Sequence, residues 1–337
     1  MKLLNKANLA PFLERLRPEF EVVAPLYEGQ DILFGDLGSS PLATDFIGKP
    51  RLSPKKYLFP QRERLFTFNV CPESIEIEAH FNETKRVIWG VRPCDLYGLK
   101  FLDLVYLKDY IDPYYQARRA NTLLLGLNCN EAEESCFCSS LGTGPFAKEA
   151  FDLLFTDLGD VFLVEIGSRA GEKLIEKGAN LFTNATSKDR EKAKLLEEKS
   201  KKTFKTSIDL GKIKAKIAAA SGNPIWAEEA VKCILCGGCN WVCPTCQCFN
   251  VEDIKAGHKT QRIRYWDSCQ LGGFTQMAAY NSRAAQAERL RQRIYHKFSY
   301  NPDNYDGELG CIGCGRCIDV CPVGIDITAI LWRVANE

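Results

Sequence analysis

An α/β N-terminal domain followed by an α-helical, cysteine-rich domain is the architecture this sequence predicts. Three observations lead there. Short, strongly apolar runs alternate with helix-like stretches over roughly the first half of the chain. A highly charged stretch ending in Ser221-Gly-Asn-Pro224 then breaks the pattern. Beyond it lie eleven of the sixteen cysteines, between Cys233 and Cys321.

The runs Arg86-Val-Ile-Trp-Gly-Val91, Thr122-Leu-Leu-Leu-Gly-Leu127 and Val161-Phe-Leu-Val-Glu-Ile166 read as buried strands. Between them 97–110 and 146–155 read as helices, and such alternation favours a sheet covered by helices. The charged stretch 187–205 reads as a solvated helix face. Asn223 is suited to cap a helix and Pro224 to its first turn, so the sequence divides into an α/β domain, 1–222, and a second domain, 223–337. A short helix over 225–231 leads into the first cysteine motif.

At 337 residues the chain is long enough for two domains. Its 44 basic and 43 acidic residues leave a net charge of +1, so no global field points to nucleic acid or an anionic membrane as partner. The first twenty residues mix charge with apolar positions and do not read as a signal peptide. No run approaches the roughly 18 apolar residues of a membrane-spanning helix. A cytoplasmic chain with no membrane insertion is the expectation. Sixteen cysteines in such a chain point to metal binding rather than disulfides.

The spacing names the metal. Cys233-Ile-Leu-Cys236-Gly-Gly-Cys239-Asn-Trp-Val-Cys243-Pro and Cys311-Ile-Gly-Cys314-Gly-Arg-Cys317-Ile-Asp-Val-Cys321-Pro are both C-x2-C-x2-C-x3-C-P, the signature of two-cluster ferredoxins. Three thiolates at three-residue intervals wrap one corner of a [4Fe–4S] cubane, and Gly237 and Gly315 let backbone approach it. The fourth cysteine, read as starting a helix directed away, serves the other cluster. Cys233, Cys236, Cys239 and Cys321 form one set on this logic; Cys311, Cys314, Cys317 and Cys243 form the other. The following proline is read as turning loop into helix. A structural zinc ribbon, the competing reading, uses two separated C-x2-C pairs and lacks the third cysteine and the Cys-Pro step.

The 67 residues between the motifs exceed what a compact ferredoxin needs, and 274–280 and 284–297 read as helical, so the second domain resembles the α-helical two-cluster ferredoxin type. Within the insertion Arg289, Arg291, Arg293, His296 and Lys297 read as a solvated helix face; the alternative is that they offset cluster charge or dock an acidic partner.

Further cysteines remain. Cys246, Cys248 and Cys269 stand beside the signature, either as buried packing or as cofactor-binding residues. Cys94 and Cys129 each follow an apparent strand, and Cys136 and Cys138 follow closely. Residues after strands converge at one edge of an α/β sheet, so these four are candidate ligands of a third [4Fe–4S] cluster, or else unpaired thiols near a crevice. Cys71 reads as structural. The loop Gly142-Thr-Gly-Pro145 does not follow a strand directly and is discounted as a dinucleotide site. No P-loop or nucleophile–base pair is present, and His80, His258 and His296 are scattered, so no independent catalytic site stands out.

Taken in order, Ser53-Pro-Lys-Lys-Tyr-Leu-Phe-Pro60, Val91-Arg-Pro-Cys-Asp95, Cys136-Phe-Cys138 with Gly142-Thr-Gly-Pro145, Cys243-Pro-Thr-Cys-Gln-Cys248, Trp266-Asp-Ser-Cys269 and Arg293-Ile-Tyr-His-Lys297 form a distinctive combination. It resembles the β subunit of cytosolic sulfhydrogenases and the corresponding dicluster electron-transfer subunit of anaerobic sulfite reductase. Related subunits accompany heterodisulfide-reductase-type flavin oxidoreductases. The resemblance implies an iron–sulfur subunit that relays single electrons. Its partners would be a flavin subunit that oxidises NAD(P)H and a catalytic subunit of hydrogenase, sulfite reductase or heterodisulfide reductase type. The alternatives are a flavin- or substrate-binding catalytic subunit and an iron–sulfur redox sensor.

Overall fold

The computed structural model describes residues 1–70, 73–257 and 259–337; Cys71 and His258 lie outside the described residues. In chain order the strands are β1 (Lys2–Asn5), β2 (Glu21–Glu28), β3 (Asp31–Asp36), β4 (Arg62–Val70), β5 (Ile75–Ala79) and β6 (Arg86–Val91). They continue with β7 (Thr122–Leu127), β8 (Leu153–Asp157), β9 (Val161–Ile166), β10 (Phe182–Asn184), β11 (Phe249–Ala256) and β12 (Lys259–Trp266). One sheet of eight strands runs β10-β1-β9-β8-β7-β6-β2-β3, and its middle strands β2, β6, β7 and β8 are parallel.

Strand alternation builds two cores. Val87, Trp89, Leu125, Leu153 and Phe155 pack on one face with Phe12 and Leu174, while Ile88, Leu124 and Leu154 pack on the other with Leu99 and Leu102. Both faces of the central strands are covered, which explains their nearly unbroken apolar sequences. The helix Pro93–Leu107 follows β6 immediately and carries Cys94 and Asp95 in its first turn. Cys129 follows β7, so both thiols sit beyond the carboxyl ends of adjacent parallel strands.

Several sequence expectations need correction. The stretch 146–155 is not a helix: Leu153–Asp157 is β8, paired with β7 and β9. Its apolar Leu-Leu-Phe fills both cores, and tertiary pairing overrides the helix-like pattern before it. The insertion is not helical throughout either. It opens with the β11–β12 hairpin, which pairs along β4 in a second sheet, β11-β12-β4-β5. That sheet joins strands from before and after the Ser221–Pro224 break. The stretch 274–280 is a 3-10 turn over Gly272–Thr275 followed by a tight loop, in which the Met277 amide donates to the Tyr280 carbonyl. Two glycines at its start disfavour a helix. The helix Gln286–Tyr295 does form, as do Ser187–Lys201 and Ile225–Ala230.

The helical C-terminal region packs around Trp226, Leu290, Ile294, Phe298, Ile330 and Leu331. It meets the first sheet through a fully buried pair: Arg316 donates from both terminal nitrogens to the Asp95 carboxylate, at 2.8 and 2.7 Å, and from Nε to the Pro50 carbonyl at 3.0 Å. Removing one partner of a buried bidentate pair strands the other, at a cost of about 3–5 kcal/mol. Asp95→Ala is therefore expected to lower the unfolding free energy of the anaerobic protein, read from the shift of its denaturation midpoint, by that order. An unchanged midpoint would mean the pair does not hold the two regions together.

Candidate iron–sulfur centres

Each ferredoxin motif folds the same way. A left-handed glycine, Gly237 (φ 73°) or Gly315 (φ 72°), begins a single helical turn, Gly238–Trp241 or Arg316–Asp319, that carries the third cysteine. The fourth cysteine therefore follows a helical turn instead of starting a helix, contrary to the sequence expectation. After Cys243-Pro244 the chain runs into β11, and only after Cys321-Pro322 does it reach a helix, Ile327–Asn336, capped by Asp326. The glycines serve this φ. Gly315 also allows a close approach, since a Cβ there would stand 2.6 Å from the Ser135 carbonyl carbon.

The thiols gather in groups. Cys233, Cys236, Cys239 and Cys321 line one small cavity, together with Cys317, Leu290 and Arg293. Cys236 is exposed there, and backbone amides of Leu235 and Ile325 donate to the sulfurs of Cys233 (3.4 Å) and Cys321 (3.2 Å). Cys311 and Cys314 are buried and face Cys243 and Cys317. Burial pushes the Cys239 thiol up to about 11 and those of Cys311 and Cys314 to about 12.

The N-terminal thiols also come together. Burial raises all four, and Cys138 faces Cys129, Cys136 and Cys314, while Cys94 faces Cys314 and Cys129. The loop that carries them is tied to the second ferredoxin motif: the Phe137 amide donates to the Gly313 carbonyl (2.9 Å), and the Thr143 hydroxyl to the Ile312 carbonyl (2.7 Å). That accounts for the Gly142-Thr-Gly-Pro145 loop, which packs against protein. Lys49, ion-paired with Glu133 and with Asp319 (3.0 Å), stands 3.8 Å from the Cys136 sulfur.

Positive charge marks the site. Arg293 and Lys297 are buried, not on a solvated face as the sequence suggested, and Arg289 is buried as well, donating to the carbonyls of Arg283 and Ala284. Arg291 is outward, reaching the Ser221 carbonyl, and His296 is half-buried. Lys297 Nζ stands 3.2 Å from the Cys243 sulfur, and the Gln286–Tyr295 helix points Arg293 at Cys239 and Cys317. No spacing rule revealed Lys55. It lies in a 3-10 turn after Ser53 and donates to the carbonyls of Cys243 (2.8 Å) and Cys246 (3.0 Å). Lys297 beside the Cys243 sulfur and Arg293 facing Cys239 and Cys317 set positive charge against the thiols, and thiolate-ligated clusters would supply the balancing anion. The residues present therefore suit iron–sulfur groups.

Comparison with known proteins agrees. Residues 232–325 match the 4Fe-4S dicluster domain. Over 335 residues, 98% of this chain and 97% of its relative, the sequence is 34% identical to sulfhydrogenase 2 subunit beta of Pyrococcus furiosus. The chain belongs to the sulfhydrogenase β-subunit family. Like that relative in length and order throughout, this family member spans both the sheet-based region and the dicluster domain. Among the described residues no helix is long and apolar enough to cross a membrane.

For this β-subunit family member, a unit charge about 6 Å from a cluster acts on its potential through an effective dielectric near 20, on the order of 100 mV. Lys297→Met is expected to make the centre nearest Cys243 harder to reduce by that amount in a titration followed by electron paramagnetic resonance. An unshifted potential would show that the ammonium does not act on it.

Proposed function

We propose that the chain is the iron–sulfur electron-transfer subunit of a cytoplasmic, hydrogenase-type oxidoreductase complex. It relays single electrons between a flavin subunit that oxidises NAD(P)H and a catalytic subunit. Cys233, Cys236, Cys239 and Cys321 hold one [4Fe–4S] cluster; Cys311, Cys314, Cys317 and Cys243 hold the second; Cys94, Cys129, Cys136 and Cys138 hold a third. Bound clusters supply one-electron redox chemistry without making or breaking substrate bonds.

One observation carries the reading: the three thiol sets stand in series. The N-terminal set touches the middle one, where the Cys136 thiol lies 3.8 Å from the Cys314 carbonyl. The middle set faces the outer one across Cys317 and Cys239. The outer set opens to solvent at Cys236, beside exposed Val231, Ile234 and Trp241. A protein that keeps its redox groups in contact from interior to surface is suited to passing electrons between partners. The relative is a sulfhydrogenase subunit, which supports the hydrogenase type over the other two. The protein's own residues set the conditions: Lys297 and Arg293 supply positive charge, and the buried walls exclude water.

Removing the N-terminal set tests the series. Cys136→Ser/Cys138→Ser is expected to lose about four irons and four sulfides per chain relative to the parent protein, with the ferredoxin signals retained. An unchanged iron content would confine the relay to the dicluster domain.

A further inference from the structure

Two thiols outside the three cluster sets meet at the base of the β11–β12 hairpin. Phe249 opens β11 across from Trp266, the last residue of β12, and the Asp267 amide donates to the Cys248 carbonyl at 3.0 Å. The ladder thus runs one residue beyond the strands. A turn follows at once: the Gln270 amide donates to the Ser268 hydroxyl at 3.2 Å, and the Leu271 amide to the Ser268 carbonyl at 2.9 Å. It folds Cys269 back against Cys248. The Cys269 amide donates to the Cys248 sulfur, and the two thiols are in hydrogen-bonding contact. Cys246 takes no part in this pair, since its thiol is hydrogen-bonded with Cys243 of a ferredoxin set. Two sulfurs are also short of the four thiolates that a [4Fe–4S] cluster takes.

We propose that Cys248 and Cys269 form a thiol–disulfide exchange site, a dithiol that small soluble disulfides oxidise reversibly to an internal disulfide.

Placement comes first. The two sulfurs already touch, and hydrogen-bonded backbone holds the segments that carry them, so closing an S–S bond asks for little movement. Access is unequal. Cys248 is partly exposed and Cys269 is buried, which gives the pair an outer thiol to meet the oxidant and an inner one to resolve it. The surroundings of the inner sulfur are polar. The buried Asn240 amide donates to Cys269 at 3.0 Å, the Gln270 amide approaches it at 3.7 Å, and Arg293 faces it. Inert buried cysteines pack as small hydrophobes, whereas donors and a nearby cation support sulfur as thiolate, the form that attacks a disulfide. Asn240 also places its Oδ1 3.4 Å from the Cys239 sulfur, so the pair stands one side chain away from a ferredoxin cysteine.

The exchange balances in two steps. Cys248 passes its proton to the Cys269 sulfur and attacks one sulfur of the small disulfide. That S–S bond breaks, and the first small thiol leaves with the proton. The Cys269 thiolate then attacks the Cys248 sulfur of the mixed disulfide, and the second small thiol leaves, protonated from solvent. The small disulfide is reduced to two thiols, and the protein pair has lost two electrons and two protons.

The test is thiol mapping on anaerobically purified full-length protein treated with oxidised glutathione, quenched in acid, alkylated and digested. Cleavage after Arg264 and Arg283 leaves Cys269 on a peptide with no other cysteine, while Cys248 lies on the peptide ending at Lys255. The expected result is a cross-link between these two peptides, with about two molecules of reduced glutathione released per chain. Cys269→Ser is expected to stop at a glutathione adduct on Cys248, and Cys246→Ser to keep the cross-link. Cys269 fully alkylated after the oxidant, or a cross-link lost in Cys246→Ser and kept in Cys248→Ser, overturns the proposal. So does loss of iron from Cys248→Ser/Cys269→Ser, which would make the pair cluster ligands. Should the variants fail to fold, fragmentation of the cross-linked peptide from the unmutated protein decides, because it shows whether the bridge ends at Cys248.

Discussion

The Arg316–Asp95 pair is the contact on which the arrangement of the centres depends. Arg316 lies between Cys314 and Cys317, and Asp95 follows Cys94 in the first turn of the helix after β6. Two buried groups from opposite ends of the chain thus clamp a ferredoxin motif to the carboxyl edge of the parallel sheet. The guanidinium is planar and the carboxylate bidentate, so the pair fixes orientation as well as distance. Gly98 and Gly313 let the surfaces close: a Cβ at Gly98 would stand 2.6 Å from Pro244 Cβ, and one at Gly313 the same distance from the Cys138 backbone. Contact at this depth brings the N-terminal thiols against the dicluster domain.

Charge compensation governs the rest of the interior. Carboxylates balance the buried cations at the sheet–helix and sheet–sheet junctions, where Glu63 bridges Arg118 and Arg264. Around Cys239, Cys243 and Cys246 the cations face sulfur instead. The Cys243 thiol is held well below the ordinary thiol range, first by its hydrogen bond with Cys246 and then by Lys297 and Lys55 against the effect of burial. Cys269 is drawn down to about 6, by Cys248 first and by the Asn240 and Gln270 amides with Arg293. Their partners Cys246 and Cys248 are pushed up, so in each pair one sulfur is favoured as thiolate while its neighbour keeps its proton.

What the sequence disclosed follows from how local each constraint is. Cluster ligation imposes exact short spacing, so the two ferredoxin motifs stand out in one dimension. The strands β6, β7 and β9 were readable because burial on both faces makes their runs continuous. Strand β8 was not, since its Leu153-Leu-Phe155 run is short and its identity comes from pairing. The β11–β12 hairpin carried a signal, the alternation of Phe249 and Val251 and the turn at Gly257, that the helical character of the later insertion obscured. Lys297 and Lys55 acquire their role from Cys243, 54 and 188 residues away, and no local pattern carries such information.

A reductive titration of the anaerobically purified full chain, followed by electron paramagnetic resonance with metal analysis of the same sample, tests the central claim most directly. The expected result is successive one-electron reductions at iron–sulfur centres whose signals are broadened by magnetic coupling between close neighbours. Zinc in place of iron, or a single magnetically isolated centre, would contradict it.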